Sequence, residues 1–217
     1  MRTRSVWTCG LLASRLAVVT AGAQEGAPGV FAIDAERTDI HWRIYRAGPM
    51  ARFGHSHVIS VGALEGAVSL AEDASQSSFE LEFPVAGLII DDPELRNLYG
   101  EEFSTVPSAE DIEGTRENML TEAVLDGERF LSIRVSGSNW TGPGEASIDL
   151  AIEILGRTIE LTLPTEVVVD GDSLVASGSF TLGHEALGMT PFSVMMGAVQ
   201  VGEDMDFVYE IHAERGD

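Results

Sequence analysis

From Val30 to Ala213, apolar residues recur at every second position in one run after another, and that period admits few folds. Ile40, Trp42 and Ile44 alternate with His41, Arg43 and Tyr45; Phe79, Leu81 and Phe83 alternate with Glu80 and Glu82. Leu131, Ile133 and Val135 alternate with Phe130, Ser132 and Arg134. Ile148, Leu150, Ile152 and Ile154 give the longest clean run, and Ile159, Leu161 and Leu163 return from a tight turn at Gly156-Arg157. A second hairpin turns at Asp170-Gly171-Asp172, and Val194–Val201 and Met205–Ala213 read as the last two strands. Successive side chains of a strand point to opposite faces, so each run has one buried and one wetted face. Eight or more such strands at regular spacing predict an antiparallel sandwich or barrel.

One segment departs from the pattern. Asp92 is placed to cap a helix with Pro93 at its first position, and Gly100 ends it. Ser108 with Asp111 reads as a capping box, and Ile112, Met119 and Leu120 fall on one helical face. Residues 92–125 therefore predict two short helices between strands. On a barrel they plug one end or form a lid over a ligand, since loops at barrel mouths are common ligand sites.

At 217 residues the chain is one domain or a domain with a leader. Residues 1–23 have the form of a signal peptide: Arg2 and Arg4, an apolar stretch from Val6 to Val19 interrupted by Ser14 and Arg15, then Ala21-Gly22-Ala23 as an A-x-A cleavage site. Residues 24–29 read as a linker and 30–217 as the barrel domain. The expected location is the periplasm or the exterior. Cys9, the single cysteine, leaves with the leader, so no internal disulfide forms. No run approaches the ~20 unbroken apolar residues of a stable membrane span. The formal net charge of −22 argues against nucleic-acid or anionic-membrane partners. A homodimer stays open.

Phe31–Val61 is the one locally basic stretch, with Arg37, Arg43, Arg46 and Arg52 and three of the five histidines. His55 and His57, two apart, share a face if the strand runs through them. They and Arg43, Arg46 and Arg52 are placed to meet a polar headgroup at a barrel mouth. Alternatively the two imidazoles are metal ligands, although zinc wants three or four donors and no third stands out. Catalysis has less support. There is no G-x-S-x-G, no H-E-x-x-H, no cysteine after the leader and no glycine-rich phosphate loop, so the expectation is a non-enzyme.

Several patches, in order, resemble the YceI-like family of polyisoprenoid-binding, lipocalin-like secreted or periplasmic bacterial proteins. Ile33-Asp34 with Thr38, Ile40 and Trp42 resembles its opening strands, and Phe53-Gly54-His55 with Gly66 its His-then-Gly segment. Arg116–Leu120 resembles its helical insert, and Leu150–Thr158 with Leu161 and Pro164 its most specific hairpin; Leu187-Gly188-Met189 resembles a late segment. Leu131-Ser132 and Leu187 depart from the usual residues. The resemblance implies an all-β, eight-stranded antiparallel lipocalin-like barrel with a short helical insert. It further implies binding of a long-chain isoprenoid lipid or quinone, and no other cofactor. Burying twenty carbons at ~0.8 kcal/mol each is roughly 16 kcal/mol gross, which can offset an association cost of ~4–15 kcal/mol. The ligand-binding candidates are Trp42, Ile44, Phe53, His55, His57, Phe79, Leu81, Phe83, Met119, Leu120, Phe130, Phe180, Phe192, Met195 and Met196.

Overall fold

The computed structural model describes residues 27–216. Twelve strands make one antiparallel sheet: β1 (Gly29–Ile33), β2 (Asp39–Ala47), β3 (His57–Val61), β4 (Glu65–Leu70), β5 (Ser78–Pro84), β6 (Leu88–Ile90), β7 (Ser132–Ser138), β8 (Gly144–Ile154), β9 (Arg157–Asp170), β10 (Ser173–Gly183), β11 (Ser193–Val194) and β12 (Val199–Arg215). Two helices, α1 (Pro93–Arg96) and α2 (Ala109–Met119), lie between β6 and β7.

Eight strands close the barrel in the order β1-β4-β5-β7-β8-β9-β10-β12, and β12 returns to β1 through Phe31↔Arg215 and Ile33↔Ala213. The first three staves each break. Asp34 turns the chain between β1 and β2, its carboxylate accepting from Glu36 N at 3.0 Å. Residues 62–64 separate β3 from β4, and a 3-10 turn at Val85–Gly87 separates β5 from β6. The halves β2, β3 and β6 continue from β12 as a side sheet, where His41 faces Ser60 and Ile59 faces Ile90. Pro84 ends β5 at such a break, where the ladder needs no further donor.

The alternation foreseen for β8 and β9 holds over eleven paired positions, from Gly144↔Val167 to Ile154↔Arg157. Their turn is one residue earlier than the sequence suggests. Leu155 and Gly156 occupy it at φ 53° and 71°, the double left-handed geometry of a type I′ hairpin, and Arg157 opens β9. The last two expected strands are one: β12 runs from Val199 through an irregularity between Val201 and Met205 to Arg215. Pro164 sits inside β9 because pairing with β10 has stopped by Glu166↔Ser177, so its missing N–H breaks no ladder.

Both helix caps form as expected. Asp92 accepts from Glu94 N and Leu95 N at 2.9 and 3.2 Å, and Ser108 and Asp111 make the reciprocal capping box. The insert performs two tasks. Its first part packs on the outer face of β2: Tyr45 meets Phe103 edge-on at 5.7 Å, and the Arg43 guanidinium lies 4.4 Å over the Tyr99 ring. Its second part reaches over the barrel end, where Met119, Val124 and Leu125 join the interior cluster.

Candidate functional site

Inward-facing positions of the staves enclose a cavity of about 190 Å³. β2 supplies Ile40, Trp42 and Ile44; β5 supplies Phe79, Leu81 and Phe83; β8 supplies Ile148, Leu150, Ile152 and Ile154. β10 and β12 supply Ala176, Phe180, Leu182, Met205, Phe207, Tyr209 and Ile211. Phe207 stacks between Trp42 and Phe180, with ring centroids at 5.7 and 4.8 Å, so three neighbouring strands contribute one aromatic panel. One end is closed by Met119, Val124 and Leu125 of the insert and by Leu187 and Met189 of the connection after β10. Thr190 N donates to Ala123 O at 2.7 Å and ties these two covers together. Trp140 and Val167 line the other end.

Few polar groups reach this lining. Thr165 Oγ1 and Tyr209 OH pair at 2.7 Å, and burial raises the Tyr209 pKa against the opposing effect of that bond. His184 Nδ1–H donates to Glu203 O at 2.9 Å. The arrangement can hold an apolar molecule by dispersion and by exclusion of water. Of the fifteen candidates, the cavity brings together Trp42, Ile44, Phe79, Leu81, Phe83, Met119 and Phe180.

The others lie elsewhere. Phe53 is exposed beneath the Arg52 guanidinium, and Phe192, Met195 and Met196 are exposed on a hairpin. Phe130 packs outside, by Arg129 and Gly156. Leu120 touches the core cluster from beside Gly127 without reaching the cavity wall. The reason is local backbone geometry: Met195 and Met196 form a turn with left-handed φ of 53° and 57°, so they stand on no strand face that could point into the barrel.

His55 and His57 do not share a strand face, because β3 starts only at His57. Their rings meet edge-on at 6.1 Å. His57 Nδ1–H donates to Asp91 Oδ2 at 2.6 Å, and Nε2 faces Thr115 Oγ1 at 3.3 Å. Among the described residues no group of three His, Cys, Asp or Glu side chains is placed to hold a metal ion. Arg43 reaches Asp206, and Arg46 pairs with Glu102 at 3.0 Å.

His57 belongs to a buried pin that sequence reasoning missed. Asp91, at φ 59° with its carboxylate wholly enclosed, accepts from His57, from Val58 N at 3.0 Å and from Arg96. Arg96 is buried too, and donates to Ser56 O, Phe103 O and Thr105 O at 2.8, 3.0 and 2.6 Å. Burial pushes the Asp91 carboxyl up, but the His57 hydrogen bond and the nearby positive charges outweigh it and hold the pKa below the usual range. Beside this pin, burial and the bond to Asp206 push the Tyr45 hydroxyl up to about 12. The pin fixes the insert to β3 and so fixes the cover over the cavity.

No protein-family model matches the sequence, and no curated protein does. Solved structures do match. Burkholderia cenocepacia BcnA is 11% identical with a TM-score of 0.61, covering 83% of this chain and 99% of that one. A polyisoprenoid-binding domain from Saccharophagus degradans, implicated in plant cell wall breakdown, is 7% identical with a TM-score of 0.54, covering 86% and 98%. The Campylobacter jejuni YCEI protein is 7% identical with a TM-score of 0.51, covering 73% and 85%. At such identities the likeness is one of fold, and it spans nearly the whole described barrel. A closed eight-stranded antiparallel barrel with this helical insert is a lipocalin-like barrel, and the chain has the YceI-like fold.

Proposed function

We propose that this protein binds a long-chain isoprenoid lipid or isoprenoid quinone inside the barrel, as a carrier or a sequestering protein, without catalysing a reaction. The observation that carries this reading is the barrel cavity with its nearly unbroken apolar lining. Dry apolar cavities of about 150 Å³ take up benzene, and this one is somewhat larger. An apolar occupant gains dispersion contacts with this lining and displaces water from it, so it is favoured. At about 190 Å³ it holds only part of a long chain; further isoprene units need Met119, Met189 and Met205 to swing aside, which thioether side chains do readily. The polyisoprenoid-binding Saccharophagus degradans domain of the same fold supports the ligand class.

The reading includes export to the periplasm or the exterior. The leader that suggests this, residues 1–23, lies outside the described residues. Among the described residues, no helix is long and apolar enough to cross a membrane. N-terminal sequencing of the exported protein should start near Gln24, and an intact Met1 counts against export.

Both described tryptophans, Trp42 and Trp140, line the cavity, which gives a direct test. A fluorescent polyene isoprenoid should quench them by energy transfer and saturate near one per chain. Titration without saturable quenching would refute binding in the barrel.

A further inference from the structure

In this acidic chain, residues 40–64 and 186–202 contain no Asp or Glu. The fold puts parts of these two segments side by side at the covered end of the barrel. Gln200 pairs with Ala47, Met50 N donates to Ala198 O at 2.8 Å, and Gly48 approaches the Gly197 and Ala198 carbonyls so closely that a Cβ there would lie 2.6–2.7 Å from their oxygens. The result is a tip that runs past the barrel wall. It exposes Phe53 at 61%, Met195 at 65% and Met196 completely, with Phe192 and Val194 partly exposed behind them.

Two features set this tip apart from incidental surface apolarity. Met195 and Met196 both have left-handed backbones, at φ 53° and 57°, so unfavourable conformations present two large apolar side chains to water. Arg52 is exposed, has no acidic partner within ion-pair distance among the described residues, and lies 4.5 Å over the Phe53 ring. Apolar side chains beside an unpaired guanidinium match the headgroup boundary of a phospholipid layer, where acyl chains accept the former and phosphate the latter. The tip also continues directly from the connection that carries the cavity cover, through Leu187 and Met189 to Phe192 and Met195.

We propose that the hairpin around Met195-Met196, with the Arg52-Phe53 turn beside it, docks the protein on a phospholipid bilayer and sets the cover of the cavity against the membrane. The proposal rests on the lipid-binding reading for what the contact would transfer. The acidic remainder of the protein makes a zwitterionic surface the favoured target, because an anionic one repels it.

The test is flotation with phosphatidylcholine vesicles, comparing the parent with Met195→Asn/Met196→Asn. Asn tolerates the left-handed region, so the fold and the melting temperature should not suffer. Parent protein should float with the vesicles, and the double variant should lose at least about tenfold in partitioning, ~1.4 kcal/mol or more. Its uptake of a detergent-solubilised fluorescent isoprenoid should equal the parent's. Docking is refuted if the parent does not float or if the variant floats equally. It is also refuted if the parent is a dimer that the variant turns monomeric, since the tip then covers a second copy. Methionine-dependent flotation with no isoprenoid uptake by either protein would uphold docking and refute the lipid-binding reading; uptake without flotation would do the reverse.

Discussion

Ala176→Leu offers a way to fill the cavity without touching its rim. Ala176 sits on β10 between Val167 of β9 and Ile211 of β12, and it lines the empty space. Leucine adds three carbons at ~0.8 kcal/mol each, about 2.4 kcal/mol of burial if they enter the void. Ordering the longer side chain costs ~0.5–1 kcal/mol, leaving about 1.5 kcal/mol of stabilisation. For a domain of this size that raises Tm by roughly 3–6 °C. The same three carbons take room from a bound chain, so affinity for an isoprenoid should drop by about fiftyfold, the equivalent of ~2.4 kcal/mol. Scanning calorimetry without ligand and tryptophan-quenching titration measure the two effects on one preparation. A fall in Tm would mean that this wall is fully packed and the void does not exist there. A rise in Tm with unchanged affinity would mean that the ligand binds elsewhere, and the barrel interior would lose its assigned role.

The buried pin makes the other predictions. Asp91→Ala strands the buried Arg96 charge and should destabilise the protein by about 3–5 kcal/mol in denaturant unfolding; a loss below about 1 kcal/mol would remove the pin from the account. Because the folded Asp91 pKa lies below the ordinary carboxylate value, its contribution is complete above about pH 4 and is lost as pH falls through the folded value. Acid unfolding should therefore flatten in Asp91→Asn, and a profile as steep as the parent's would contradict this. His57→Ala, which leaves Asp91 Oδ2 without its partner, should cost about 1–3 kcal/mol. His55→Ala should stay within about 0.5 kcal/mol of the parent, and calorimetric titration with zinc should find no tight site in the parent; tight uptake abolished by both changes would restore the metal reading.

Much of the barrel is legible in the sequence, because period-two burial survives wherever one face is wet. The β8–β9 hairpin is the clearest case. The lining of β12 was equally readable: Met205, Phe207, Tyr209 and Ile211 alternate with Asp206, Val208, Glu210 and His212. Selecting candidates by residue type instead drew in Phe53, Phe192, Met195 and Met196, whose chain positions are turns. The split staves were not readable, since breaks such as Asp34–Thr38 resemble ordinary hairpin turns locally, and only the sheet order shows the chain continuing in the same direction. Asp91 was hidden for a different reason. Its neighbour Asp92 explains the helix cap, and nothing local announces partners at His57, Val58 and Arg96. The acidic composition points away from anionic membranes as a whole-chain property, whereas the fold gathers two acid-free segments into one tip.

The most direct test of the central claim is mass spectrometry of the organic-solvent extract of freshly purified protein, with elemental analysis of the same sample. The account predicts a long-chain isoprenoid lipid or quinone approaching one molecule per chain, and no stoichiometric zinc or copper. An extract without isoprenoid, from protein that also fails to take one up when it is supplied, would contradict it.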